Sequence, residues 1–189
     1  MPKFDSFKYE LISKEEIKKI GVCTNFLTPI SAIYKLLDEL IKNFPNCKIT
    51  LRPHPGYVSE INKSKIDARI AFSDGKKEDV FKFLERQDVV IAGESGIHLD
   101  ASLMNRTSIY YNFEEQVTYP DYYGFIKNGL IEEAKSLKVL IEKIKNSNKN
   151  VSVDKLQYYN ALIGTDKEGK SCNSAIKSIT NFLNKRSKI

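Results

Sequence analysis

The chain has 189 residues and a formal charge of +6, with 41% hydrophobic, 11% aromatic and 29% charged residues. With only 9 glycines, 6 prolines and 3 cysteines it is not a disordered, collagen-like or disulfide-scaffold chain, and its length suits one core-forming domain with a small appendage. No stretch approaches the roughly 18 consecutive apolar residues of a spanning helix, and the first residues lack the apolar core of a signal peptide, so a soluble, cytoplasmic protein is expected.

Residues 1–16 are charged and weakly patterned, an arm that Phe4, Phe7 and Tyr9 can dock. Residues 17–25 form a short apolar run closed by polar residues, a buried strand. Ser31 then reads as the N-cap of a helix with Ala32, Ile33, Leu36, Leu37, Leu40 and Ile41 at helical spacing, stopped near Pro45. Residues 47–52 and 68–72 read as second and third strands, and residues 78–86 as a helix. The most apolar strand covers residues 88–93, a helix covers 96–104, and a fifth strand covers 107–111. Beyond Phe113 come Tyr-rich loops, then helical patterns at residues 132–145, 153–163 and 174–184, with no strand in the tail. Strand, helix, strand at these spacings implies right-handed crossovers and a parallel sheet covered on both faces. The expected fold is therefore α/β: a doubly wound, Rossmann-like parallel sheet of about five strands over residues 17–131, with a helical extension, residues 132–189, packed on it.

The charge is unevenly placed. Residues 1–134 hold 18 Lys and Arg against 20 Asp and Glu, whereas residues 135–189 hold 12 against 4. The excess is mostly lysine, 25 against 5 arginines, while base reading and bidentate phosphate contact favour arginine. A solvated basic face is expected rather than a nucleic-acid surface, with peripheral contact to the inner face of an anionic membrane as the other use of that region. Cys23, Cys47 and Cys172 are odd in number and lack metal-type spacing, which argues against a disulfide or zinc framework.

In open parallel sheets ligands bind beyond the carboxyl ends of the strands. Here those ends read Thr24-Asn25, Arg52-Pro53-His54-Pro55, Ser73-Asp74-Gly75 and Glu94-Ser95-Gly96, a polar set suited to phosphate and nucleotide. No P-loop and no dinucleotide fingerprint is present. His54 sits between two prolines, either as a hydrogen-bond donor and acid toward a phosphate or as a loop residue locked for shape. Arg52 is a phosphate fork or a strand-end ion pair. Ser95 offers a hydroxyl and an N–H at a tight turn, where it also caps the following helix, and Gly96 permits close approach; Ile97 breaks the nucleophile-elbow pattern. Asp100 reads as a ribose ligand or as an acid complementing its helix dipole. His98 reads as a helix-packing residue, and Tyr110, Tyr111, Tyr119, Tyr122 and Tyr123 as pocket-lining or packing residues.

Arg52-Pro53-His54-Pro55, followed about forty residues later by Glu94-Ser95-Gly96-Ile97-His98-Leu99-Asp100-Ala101, resembles the C-terminal, donor-binding half of GT-B-fold glycosyltransferases of bacterial surface polysaccharides. Similarity is greatest to sialyltransferases with a His-Pro motif and to CDP-glycerol glycerophosphotransferases, and the Ser-Gly stretch also resembles nucleotide-sugar 2-epimerases. The resemblance implies that His54, Ser95 and Gly96 contact donor phosphates and that Asp100 holds a ribose. It implies a CMP- or CDP-linked or other nucleotide-sugar donor, inverting transfer assisted by His54, and no cofactor or metal. Acceptor and general base would come from an N-terminal half or a partner subunit. The rival readings are a non-catalytic nucleotide-binding or assembly subunit and an epimerase-like domain. A receiver-like signalling domain would need paired acids where Thr24-Asn25 stands.

Overall fold

A computed structural model describes residues 16–114, 120–147 and 150–186; all but the last residue of the arm expected at residues 1–16, and Tyr119, lie outside the described residues. Six strands, β1 (Lys19–Cys23), β2 (Lys48–Arg52), β3 (Ala71–Phe72), β4 (Val89–Ala92), β5 (Thr107–Tyr111) and β6 (Glu132–Ala134), form one all-parallel sheet in the order β3-β2-β1-β4-β5-β6. The order reverses between β1 and β4, which is the topological switch point of a doubly wound Rossmann-like sheet. The helices are α1 (Ile30–Asn43), α2 (Val80–Glu85), α3 (Ile97–Leu103), α4 (Leu137–Lys145), α5 (Val153–Gln157) and α6 (Ser171–Arg186).

The period-2 pleat divides the core between two faces. Ile20, Val22, Val89 and Ile91 pack with the buried stripe Ile33, Leu36, Leu37, Leu40 and Ile41 of α1 and with Leu140 and Ile144 of α4. Cys23, Val90 and Ala92 point the other way, toward Phe83 and Leu84 at α2 and Ala101 of α3. Gly21 belongs to this second face: a Cβ there would lie 2.8 Å from the Phe83 Cζ. A further cluster joins Leu103 and Tyr110 to Phe125, Leu130, Leu156 and Ile163, while α6, in the extension expected to pack on the sheet, leaves Ile176, Ile179, Phe182 and Leu183 more than half exposed.

Four expectations are corrected. The first helix begins at Ile30, not after Ser31: Pro29 occupies the N-cap with its φ fixed at −62°, and its carbonyl accepts the Ile33 N–H. The third strand shrinks to Ala71–Phe72, because the Asp67 carboxylate takes both the backbone N–H and the guanidinium of Arg69 and curls the chain into a turn. The helix expected from residue 78 starts at Val80, with Asp79 as N-cap accepting from the N–H groups of Phe81 and Lys82. The largest change is β6. Residues 132–134 carry helix-forming Glu and Ala but pair with Ile109, Tyr110 and Tyr111, giving a short charged edge strand, and α4 begins only after the Ser136 hydroxyl caps it. Tertiary pairing outweighs local propensity there. Among the described residues no helix is long and apolar enough to cross a membrane.

Candidate functional site

All strands being parallel, the polar strand ends Thr24-Asn25, Arg52–Pro55, Ser73–Gly75 and Glu94–Gly96 emerge on one rim. β2 and β4 flank β1, so with strands spaced by 4.7–4.9 Å the ends carrying His54 and Ser95 stand about 10 Å apart across the β1 end.

The β1 end is held by its own side chains. The Asn25 Oδ1 accepts from the Leu27 N–H at 2.9 Å and the Thr28 hydroxyl at 3.0 Å, while its Nδ2 donates to the Glu94 carbonyl at 3.3 Å. Asn25 thus ties the two loops that diverge at the switch point. Thr24 donates its N–H to the Arg52 carbonyl, and its buried hydroxyl has no hydrogen-bond partner among the described residues. A small cavity of about 30 Å³, lined in part by Asn25, Thr28, Gly93, Glu94 and Asn112, lies under this junction.

At the β2 corner His54 is exposed, and its Nδ1 accepts the Gly56 N–H at 3.2 Å. In a neutral ring this puts the proton on Nε2, the atom left to face a ligand. The Phe26 ring, itself 64% exposed, meets the imidazole in a T-shaped arrangement with the ring centroids 6.0 Å apart. Pro55 packs on the β3 turn: a Cβ at Gly75 would lie 3.1 Å from the Pro55 Cγ, so glycine lets the two corners close. The Asp74 side chain shapes that turn by accepting the Lys76 N–H.

Arg52 and Ser73 are drawn into a strut. Arg52 donates to the Ser73 hydroxyl at 2.6 Å and to the Glu78 carbonyl at 2.9 Å, Ser73 donates to the Glu78 carboxylate at 2.5 Å, and Arg86 pairs with the same carboxylate. With its side chain 11% exposed and its guanidinium 5.1 Å over the Phe83 ring, Arg52 follows the ion-pair alternative of the sequence reading.

At the β4 corner the Ser95 Oγ accepts the Ile97 N–H at 3.3 Å in a turn just ahead of α3, whose N-cap is Gly96 and not the expected Ser95. A Cβ at Gly96 would meet nothing within 4 Å, so the turn is open on that side. Burial and the nearby Asp121 push the Glu94 carboxyl up, against the pull of the Tyr123 and Tyr122 N–H groups bound to it. Asp100 is buried on α3, 8% exposed. Sequence reasoning passed over two neighbours of the site, Phe26 and His98; a large aromatic directly after a polar strand end was the available signal for the first.

A larger cavity of about 540 Å³ opens at the amino ends of β5 and β6, among Thr107, Glu132, Lys143, Asn146, Ser147 and Lys155. Its size notwithstanding, the rim is the better candidate, because divergent loops and outward N–H groups gather at carboxyl ends and not there.

The same architecture recurs in solved structures. A single-residue variant of the wall teichoic acid polymerase TagF matches with a TM-score of 0.58 at 16% identity, over 93% of this chain and 46% of that one. A putative UDP-N-acetylglucosamine 2-epimerase from Listeria monocytogenes matches with a TM-score of 0.56 at 16% identity, over 88% and 46%. The chain carries an α/β, Rossmann-like fold shared with these structures. At these identities the likeness is one of fold, and the chain spans about half the length of the proteins it matches. No family model and no curated protein matches the sequence. In this Rossmann-like domain the His-Pro and Ser-Gly corners stand on either side of the β1 end of one rim.

Proposed function

We propose that this chain binds the nucleotide diphosphate or monophosphate of an activated sugar donor at the β1/β4 rim, as the donor-binding part of a surface-polysaccharide glycosyltransferase. The observation that carries this reading is the placement of His54 and the Ser95-Gly96 turn on strand ends that flank β1 at the switch point. With a diphosphate donor His54 Nε2 donates to one phosphate and the open turn at Ser95 and Gly96 receives the other, with a CMP-linked donor both act on its single phosphate, and Asn25 holds the β4 corner to the β1 loop. CMP- or CDP-linked donors are favoured by the His-Pro resemblance. Transfer proceeds by direct attack of an acceptor hydroxyl on the donor, with His54 stabilising the departing phosphate and the base supplied from outside this chain. Calorimetric titration of CMP, CDP, UDP and GDP into the protein and into His54→Ala tests this. At least one nucleotide is expected to bind, with affinity falling about tenfold or more in the variant. Equal affinities in both proteins remove His54 from the site, and no binding of any of the four removes the proposal.

A further inference from the structure

His98 is the second residue of α3, with 1% of its surface exposed, yet nothing in the rim chemistry above uses it. Its Nε2 is 2.9 Å from the Gly93 carbonyl and its Nδ1 is 2.7 Å from the Ser108 hydroxyl on β5. A carbonyl oxygen only accepts, so Nε2 carries a proton; in the neutral ring Nδ1 is then the acceptor and Ser108 the donor. The ring also lies against Tyr110 at 6.1 Å and edge-on to Phe125 at 6.3 Å. One side chain therefore joins the turn after β4, the strand β5 and the 120–131 loop. That loop is itself bonded to the rim, through the Tyr122 and Tyr123 N–H groups on the Glu94 carboxylate.

We propose that His98, as a neutral Nε2–H imidazole, is the positioning residue of the β4 corner: it fixes the Gly93 carbonyl and so sets the direction in which Ser95 and Gly96 face a ligand. The proposal rests on the nucleotide reading for its ligand but not for its geometry. Packing alone gives no reason for a histidine here. The Tyr110 and Phe125 rings beside it are hydrocarbon-rich, and a buried imidazole costs desolvation that leucine avoids. What compensates is hydrogen bonding to the Gly93 and Ala92 carbonyls at the end of β4 and to Ser108 on the strand beside it. Asp121 is the charged group that favours protonation of the ring, and burial outweighs it, pushing the imidazole down to about 4, so the neutral form persists across the physiological range.

The test compares His98→Leu, which fills the space without a donor, with His98→Gln, whose amide can still reach the Gly93 carbonyl, and with Ser108→Ala, which removes the hydroxyl donor. CDP and UDP serve as ligands, amide hydrogen exchange of residues 93–97 as the ligand-free readout, and imidazole nitrogen shifts of isotope-labelled histidine as the tautomer readout. Expected are an Nε2–H tautomer unchanged from about pH 5.5 to 8, and exchange at residues 93–97 raised about tenfold in His98→Leu and restored to within about threefold in His98→Gln. Nucleotide affinity should follow the same order. An Nδ1–H tautomer, or exchange and affinity equal in the Leu and Gln variants, overturns the proposal. If the Leu variant does not fold, Ser108→Ala and His98→Gln decide: a wild-type-like turn in Ser108→Ala together with a loosened turn in His98→Gln contradicts the donor role assigned to Nε2. If the wild type binds neither nucleotide, the donor reading falls, while the tautomer and exchange results still stand or fall by themselves.

Discussion

Gly96→Ala separates a binding turn from a merely structural one. The residue has φ −63° and ψ −14°, a conformation any L-residue adopts, and its added Cβ would meet no atom within 4 Å. The free protein should therefore tolerate the methyl and gain about 0.4–1 kcal/mol, because alanine restricts the unfolded chain more than glycine does. A phosphate seated on the turn is affected oppositely. Its oxygen would lie roughly 2.8–3.0 Å from a backbone nitrogen, within van der Waals reach of the new methyl. Withdrawal by about an ångström loses a charge-assisted hydrogen bond of about 1.5–3 kcal/mol, or roughly ten- to hundredfold in affinity. Urea unfolding measures the first effect and calorimetric nucleotide titration the second. A variant as stable as the parent or more so, but impaired in binding, agrees with the account. A variant that binds as tightly as the parent places the ligand elsewhere.

Gly21→Ala should behave in the reverse way. Its Cβ would press to 2.8 Å from Phe83 Cζ and 3.1 Å from Gln87 Cγ in a fully buried setting, for a loss of about 1–3 kcal/mol in chemical denaturation. Arg52→Lys keeps the charge but breaks the fork between Ser73 and Glu78, and should lower unfolding stability by about 2 kcal/mol; an unchanged midpoint would remove the strut. His98 shapes the acid limb. The folded ring is held down to about 4 while an unfolded histidine titrates near 6.5, so below that pH the unfolded state binds the extra proton. Its contribution is complete above about pH 6.5 and is lost progressively toward pH 4, to a total of about 3 kcal/mol, and His98→Gln should flatten that part of the stability curve.

The strands were legible where burial alone dictated them: the apolar runs of β1 and β4, and β5, whose limits 107–111 coincide in sequence and structure. Once the sheet is parallel, its carboxyl ends share one rim, which is why the His-Pro and Ser-Gly turns could be placed together without coordinates. Other features depend on partners remote in sequence. β6 forms because β5 offers an edge, which two glutamates and an alanine do not announce. Arg52 reads equally as a phosphate ligand until Glu78, 26 residues on, is seen beside it. His98 reads as helix packing until Ser108 and the Gly93 carbonyl are found at its two nitrogens.

The account stands most directly on whether the two corners meet one guest. Backbone amide shifts of the isotope-labelled protein, followed during titration with CDP or UDP, report this residue by residue. The account predicts that residues 54–57 and 93–97 shift together along one binding curve, with residues 24–28 between them also moving. Shifts confined to one corner, or gathered around residues 129–132 and 150–155 at the opposite end of the sheet, would contradict it.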